Sequence, residues 1–213
     1  MRTFVMWMLP VGTVVSVGAC DSPQPVEPHG DGYGSVSAMK GPAGTGAPEN
    51  LPGGSEARVR RGFDLAPVSL DLAGKNPALV GLGSYLVQIH TCSGCHTQPA
   101  FAPGGDPYFG QPEQTNAEGY LAGGRMFGPF RARNITPRAN GLPGGLTLDE
   151  FILVMRTGAD FEGGKPFLQV MPWPYTSHMT DRELHAIYEY LRAIPCRVRP
   201  DQDPARCGEQ ATQ

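Results

Sequence analysis

The stretch Cys92-Ser93-Gly94-Cys95-His96 decides how the rest of this sequence is interpreted. Residues that are three apart in a helix lie on the same face, so both cysteine thiols point to one side of a helical turn. His96 follows the second cysteine directly and adds an imidazole to the pair. The five residues therefore place two thiols and one imidazole close together, a set of groups that can bind a cofactor or a metal.

The pattern Cys-x-x-Cys-His is typical of c-type haem attachment. Each thiol can form a thioether with one haem vinyl group, and His96 can bind the iron from the proximal side. A redox-active cysteine pair would require a βαβ setting, which the sequence does not suggest, and a zinc site would require a second cysteine pair at zinc spacing. We therefore expect one covalent haem c, held by Cys92, Cys95 and His96.

The sixth iron position distinguishes electron transfer from ligand binding or catalysis. A thioether opposite histidine is the usual electron-transfer arrangement, which makes Met171 the candidate distal ligand. It lies in Val170-Met171-Pro172-Trp173-Pro174, where the prolines stiffen the loop. His178 competes because imidazole also binds haem iron, and Met179 competes although a hydrophobic staple explains it without a metal. An open iron face is the remaining alternative.

Three helices with their own start signals are predicted beyond residue 60. The first begins at Asn76-Pro77, an N-cap followed by proline at the first helical position. The second begins at the capping box Thr147-Leu148-Asp149-Glu150. The third begins at the capping box Thr180-Asp181-Arg182-Glu183 and ends before Pro195. Each helix has apolar residues spaced three and four apart.

Glycine marks two features of this region. Gly81 and Gly83 weaken the first helix by about 1 kcal/mol each, and we interpret them as places where another helix comes close. Some fifty residues rich in Gly and Pro separate the first and second helices, which is unusual in a compact domain unless the loop wraps something. Met126 and Met155 are expected to pack in the core.

Several segments carry a family resemblance. Besides the pentapeptide they are Gly83-Ser84-Tyr85-Leu86-Val87, Asn134-Ile135-Thr136-Pro137, Met171-Pro172-Trp173, Met179-Thr180-Asp181 and Ala186-Ile187-Tyr188-Glu189-Tyr190-Leu191-Arg192. With them, residues 77–195 resemble a class I cytochrome c domain, more narrowly the haem domains in cytochrome subunits of bacterial periplasmic alcohol and sugar-acid dehydrogenases. Those subunits usually carry three attachment motifs and this chain has one, and Arg138 stands where an acidic residue is expected.

The resemblance implies an all-α, class I cytochrome c-like fold. A few helices would wrap around one covalent haem, with long Gly/Pro-rich loops and with the first and last helices crossing near the haem. Met171 matches the distal ligand of the family.

A haem also needs apolar contacts for its ring and hydrogen-bond donors for its two propionates. The residues expected to pack the ring are Leu86, Phe127, Ile135 and Tyr188. The candidate donors to the propionates are Arg125, Arg131, Arg133 and Trp173. For any one of these arginines, a solvated surface position is the alternative.

Two cysteines remain in the C-terminal tail, residues 196–213. Because an exported protein meets an oxidising compartment, Cys196 and Cys207 are predicted to form a disulfide, with two free thiols as the alternative. Closing a loop of this size would contribute roughly 3 kcal/mol in the chain-entropy model.

The N-terminal part of the chain predicts export. Residues 1–20 resemble a lipoprotein signal peptide that ends Val17-Gly18-Ala19-Cys20, with Cys20 lipidated; an ordinary signal or an uncleaved anchor are the alternatives. Residues 21–60 contain 14 Gly or Pro and are predicted to form a flexible linker to a haem domain at residues 61–195. The expected location is the periplasmic side of the bacterial inner membrane, lipid-anchored or secreted to the periplasm.

Composition limits the possible partners. The net charge is −3 and the chain has no run of Lys or Arg, so no nucleic-acid partner is expected. We expect a monohaem c-type cytochrome that passes single electrons between periplasmic or membrane redox partner proteins, alone or within a dehydrogenase or oxidase complex, and is not itself an enzyme. The alternative is a haem enzyme or gas-binding protein with an open sixth position. The sequence shows no Ser/His/Asp grouping and no pair of carboxylates near the motif, which favours electron transfer over that alternative.

Overall fold

The computed structural model describes residues 54–212 of the chain. The predicted signal peptide, Cys20 and residues 21–53 of the predicted linker lie outside the described residues. The described part is mostly helical: α1 (Gly54–Leu65), α2 (Pro77–Ile89), α3 (Cys92–His96), α4 (Leu148–Thr157), α5 (Trp173–Thr176) and α6 (Asp181–Ala193). Strands β1 (Met126–Phe127) and β2 (Phe130–Arg131) form a small antiparallel hairpin, and 3-10 helices span Pro107–Phe109 and Pro204–Thr212. Within residues 54–212 no helix has the length and apolar character needed to cross a membrane.

The three predicted helices are confirmed as α2, α4 and α6. The side chain of Asn76 caps α2 by accepting the amides of Ala78 (3.0 Å) and Leu79 (3.4 Å). Both predicted capping boxes are formed, with Thr147 at the start of α4 and Thr180 at the start of α6. Local sequence therefore determines where these helices begin, because each cap satisfies backbone amides that have no partner inside the helix.

The Thr180 cap gives a direct test of this local control. Replacing Thr180 with alanine is expected to lower the free energy of unfolding by about 1 kcal/mol, because the Glu183 amide loses its acceptor. Denaturant titration followed by circular dichroism measures the change. Thr157→Ala is the control at the other end of a helix: the exposed Thr157 hydroxyl donates to the Leu153 carbonyl one turn earlier (2.7 Å) and accepts from the Ala159 amide beyond α4 (3.3 Å), so it satisfies no amide at a helix start. Equal unfolding midpoints for Thr180→Ala and Thr157→Ala would contradict the capping role.

Helix α2 lies between α1 and α6, and glycines allow both close approaches. A Cβ atom on Gly83 would lie 1.9 Å from the carbonyl oxygen of Ala186 in α6. A Cβ on Gly81 would lie 2.7 Å from the carbonyl oxygen of Val59 in α1, and one on Gly62 would lie 1.8 Å from that of Gly81. The expectation that another helix comes close at Gly81 and Gly83 is confirmed. The core beside these crossings contains the fully buried side chains of Val80, Val87, Leu184, Tyr190 and Leu191.

Helix α1 corrects the predicted boundary of the linker. Residues 54–60 were expected within the flexible segment, but they belong to α1. Val59 and Phe63, one turn apart, pack against the core, and the Ser84 hydroxyl of α2 donates to the Gly62 carbonyl (2.7 Å). The helix has few apolar residues of its own, so its pattern is weak, and the surface of α2 supplies the packing that stabilises it.

Of the two methionines expected in the core, one is buried and the other is exposed. Met155 is 4% exposed and packs in the core, as expected. Met126 is 53% exposed, so its expected core position is wrong. It lies in the hairpin strand β1, opposite Arg131, whose Nε donates to the methionine sulfur (3.5 Å). A two-residue strand on the surface offers no second layer against which the side chain can be buried.

Candidate haem-binding site

The Cys-x-x-Cys-His segment folds as one helical turn, α3, immediately after α2. Thr91, between the two helices, has a left-handed backbone (φ 53°), which interrupts the right-handed helical path between them. Cys92 and Cys95 are both partly buried and unpaired. The structure thus presents two free thiols and an imidazole on a single turn, as the motif predicts.

His96 is oriented by a backbone carbonyl. Its Nδ1 lies 2.8 Å from the oxygen of Arg133, and because a carbonyl only accepts, Nδ1 carries the proton and donates it. Nε2 is then the nitrogen with a free lone pair, which is the arrangement that metal-bound histidines use. Burial lowers the pKa of His96, against the opposing effect of the Arg133 hydrogen bond, so the imidazole is neutral at neutral pH.

The structure does not favour the two rival interpretations of the cysteines. Burial raises the pKa of the Cys92 thiol to about 12, whereas redox-active thiols have lowered pKa values. The segment also follows a helix rather than a strand of a βαβ unit. Within the described part of the chain, no three or more His, Cys, Asp or Glu side chains are grouped to hold a metal ion, as a zinc site would require.

Three residues expected near the haem each pack against the buried core of the domain. Cys92, Ile135 and Met171 are each partly buried and pack against the same cluster of buried side chains. Met179 lies inside that cluster (8% exposed), as a hydrophobic staple would, and His178 is exposed. Among the three named candidates for the sixth position, Met171 is the one that is neither locked in the core nor turned to solvent.

The residues expected to pack the haem ring differ in burial, and Trp173 stacks on another aromatic ring. Leu86 (2% exposed) and Tyr188 (4%) are core residues, and Phe127 is partly buried. Trp173 begins α5, and its ring stacks on that of Phe167 with centroids 6.2 Å apart. The structure therefore supports a core role for Leu86 and Tyr188. The backbone amide of Trp173 donates to the Met171 carbonyl (2.8 Å).

Arg125 contacts α3, the turn that carries the two thiols. Its Nη1 donates to the carbonyl of Gly94 (2.5 Å), between the two cysteines, and its guanidinium lies 5.7 Å from the centroid of the Phe127 ring. This contact ties the long loop to α3.

The other two arginines considered as propionate donors are paired with acids. Arg131 bonds Asp201, and Arg133 Nη2 donates to Asp160 (2.5 Å). Burial opposes ionisation of Asp160, but hydrogen bonds from Arg133 and from two backbone amides keep its pKa below the ordinary value. Arg133 thus has two structural contacts: its side chain binds Asp160, and its carbonyl orients His96.

Comparison with known proteins identifies several sequences that are similar to this chain. The chain is 30% identical over 128 residues to the cytochrome c subunit of an alcohol dehydrogenase (quinone) from Gluconacetobacter polyoxogenes (60% of this chain, 24% of the relative). It is 29% identical over 116 residues to a gluconate 2-dehydrogenase cytochrome c subunit from Pantoea cypripedii (54% and 23%). This chain is similar to dehydrogenase cytochrome c subunits. A fructose dehydrogenase cytochrome subunit from Gluconobacter japonicus is 27% identical over 126 residues (59% and 23%).

These matches confirm the resemblance to cytochrome c domains of alcohol and sugar-acid dehydrogenases. The chain spans less than a quarter of the length of the curated relatives that it matches. Neither a family model nor a solved structure matches the chain. The mostly helical architecture is compatible with a cytochrome c-like fold.

Sequence reasoning missed the role of the Arg133 carbonyl. Nothing in the side chain of Arg133 signals it, because the acceptor is a backbone atom. The neighbouring segment Asn134-Ile135-Thr136-Pro137 was the available signal, since it carries the cytochrome resemblance directly after Arg133. It could indicate the region but not the atom.

Proposed function

We propose that this chain is a monohaem c-type cytochrome that passes single electrons between periplasmic or membrane redox partners, and that it is not itself an enzyme. The observation that carries the proposal is the orientation of His96. Its Nδ1 is already bonded to a carbonyl, which leaves Nε2 for iron, and two free thiols lie on the same turn. This donor set fits one covalently attached haem c.

The chain's own residues would hold the haem as follows. Cys92 and Cys95 would form the two thioethers, His96 would be the proximal ligand and Met171 the distal ligand. Arg125 and Trp173 would donate hydrogen bonds to the propionates, each with an N–H group suited to a carboxylate. Haem iron, when bound, supplies a reversible one-electron change of oxidation state.

The protein contributes orientation and exclusion of water. The Arg133 carbonyl fixes the plane and tautomer of His96, and the buried faces of α2 and α6 keep the neighbourhood of Cys92 apolar. A neutral thioether from Met171 would favour the reduced iron and raise its potential. Electron transfer then needs no acid or base group.

The partners and location belong to the same proposal. The relatives are named as subunits of alcohol, fructose and gluconate dehydrogenases, so a dehydrogenase is the class of electron donor that the similarity favours. We propose attachment to the periplasmic face of the inner membrane through a lipid on Cys20. A linker from residue 21 to about residue 53 would join this anchor to the haem domain.

Carbon monoxide tests the distal ligand. The reduced wild-type protein is expected to bind carbon monoxide poorly, because Met171 would occupy the sixth position, and Met171→Ala is expected to bind it promptly. Optical spectra before and after addition of the gas measure the difference. Met126→Ala is the matched control: its side chain is exposed, so it should remain as resistant as the wild type.

Two outcomes would contradict this assignment. Prompt binding by the wild-type protein would favour a haem enzyme or gas-binding protein with an open iron face. Resistance that persists in Met171→Ala would shift the sixth position to His178 or Met179.

A further inference from the structure

The C-terminal tail packs against the segment that orients His96. After α6 ends at Ala193, residues 196–207, here called the strap, run back along the loop that contains residues 133–136, here called the proximal segment. Hydrogen bonds connect the strap to the proximal segment, and they join residues more than sixty positions apart in sequence. These contacts bring the tail next to the segment whose Arg133 carbonyl bonds His96.

Asn134 is the centre of these contacts. Its Nδ2 donates to the carbonyl of Arg197 (2.7 Å) and to Oε1 of Gln202 (2.9 Å), both in the strap. Its Oδ1 accepts the amide (3.0 Å) and the hydroxyl (2.7 Å) of Thr136. The residue is 7% exposed, and both atoms of its buried amide group have partners. Losing the strap acceptors would leave buried donors without partners, which is costly.

Further hydrogen bonds from the strap hold the backbone near Asn134. Arg206 Nη2 donates to the carbonyls of Thr136 (2.9 Å) and Asn134 (3.2 Å), and the amide of Arg197 donates to the Thr136 hydroxyl (3.1 Å). Arg199 Nη1 donates to the carbonyl of Ala122 (2.5 Å), next to the residue whose amide bonds the His96 carbonyl. The strap therefore contacts the proximal segment from several directions.

A disulfide closes the strap. Cys196 and Cys207 are bonded, as the sequence predicted, and Cys207 is 6% exposed. The bond ties the far end of the strap to the end of α6. Since ordering a free tail costs conformational entropy, the closed loop makes the hydrogen bonds to Asn134 and Thr136 easier to keep.

The peptide plane connects the strap to His96. The carbonyl of Arg133 and the amide of Asn134 belong to one rigid planar unit, so the position of Asn134 sets the direction in which the Arg133 oxygen points. That oxygen accepts from His96 Nδ1 at 2.8 Å. Donation from Nδ1 makes the imidazole a more basic ligand, which stabilises the oxidised metal.

We infer that the disulfide-closed strap positions the Arg133 carbonyl against His96, with Asn134 as the positioning residue, and thereby lowers the reduction potential of the haem. This inference rests on the proposed function. It assigns the tail, which the electron-transfer proposal does not use, to tuning of the proximal ligand.

The test uses the full-length haem-loaded protein and three variants that leave the net charge unchanged. Cys196→Ala with Cys207→Ala opens the strap, and Gln202→Ala removes one acceptor from Asn134. Ser84→Ala is the matched control, because it removes a buried hydrogen bond between α2 and Gly62 of α1, and neither helix has a hydrogen bond to the strap within the described residues. Spectroelectrochemistry measures the midpoint potential, and NMR of the reduced protein measures solvent exchange of the His96 Nδ1 proton.

Both strap variants are expected to have a higher midpoint potential than the wild type and faster exchange of the Nδ1 proton, with the larger effect in the cysteine variant. Ser84→Ala should be less stable and keep the wild-type potential. An unchanged potential in Gln202→Ala and in the cysteine variant overturns the inference, and so does an equal rise in Ser84→Ala. If the cysteine variant does not accumulate, Gln202→Ala alone decides. A wild-type protein without haem would instead refute the proposed function.

Discussion

A chain that carries Cys92→Ala and Cys95→Ala is expected to contain no covalently bound haem after export. The thioethers are the only covalent bonds that the proposal places between haem and protein, so removing both sulfurs removes every bond that survives denaturation. Mass spectrometry of the denatured protein measures this directly, because the wild type should be heavier than its mature polypeptide by one haem. The expected loss is complete.

The matched control for this experiment is the double variant of the other cysteine pair. Cys196→Ala with Cys207→Ala also removes two sulfurs, but these form a disulfide in the tail. This variant should keep the haem adduct. A wild-type protein that lacks the adduct, or a Cys92/Cys95 variant that retains it, would refute covalent attachment at this motif.

Gly83→Ala is expected to destabilise the domain by at least about 3 kcal/mol, the upper end of the usual cost of overpacking. The new methyl group would lie 1.9 Å from the carbonyl oxygen and 2.5 Å from the carbonyl carbon of Ala186. Because these are backbone atoms of α6, no side-chain rotation can relieve the overlap. The helices must separate, and the core between them loses contacts. Denaturant unfolding of the purified protein measures the loss.

Gly54→Ala is the control for this substitution. Gly54 is also helical, but a Cβ atom there has no neighbour within 4 Å, so alanine should be neutral or slightly stabilising. A Gly83→Ala variant that unfolds at the same denaturant concentration as the wild type would show that α2 and α6 do not cross as closely as described.

The helices that could be predicted are those with complete local signals. Asn76-Pro77 and the two capping boxes place hydrogen-bond acceptors within three residues of the amides that they satisfy. Such contacts form wherever the segment folds, because the partners are neighbours in the chain. Helix α1 lacks a comparable signal, and for that reason the predicted linker extends over its first residues, 54–60.

The residues of the candidate site also differ in how directly the sequence reveals them. Cys92, Cys95 and His96 are adjacent in sequence, so their chemistry is visible in the motif itself. Met171 was inferred from its loop and from the resemblance, and its distal role remains a prediction. The expected core position of Met126 failed because a methionine signals apolarity without indicating what covers it.

By itself, the sequence determined the grouping of Cys92, Cys95 and His96, the starts of α2, α4 and α6, and the pairing of the two tail cysteines, because each depends on neighbouring residues or on counting cysteines. Only the tertiary structure decided that the Arg133 carbonyl orients His96 and that the tail holds Asn134. Those contacts join residues 37 and 63 positions apart, and in each the acceptor is a backbone carbonyl, which every residue type possesses. A contact of that kind leaves no trace in residue identity, so it becomes visible only when the chain has folded.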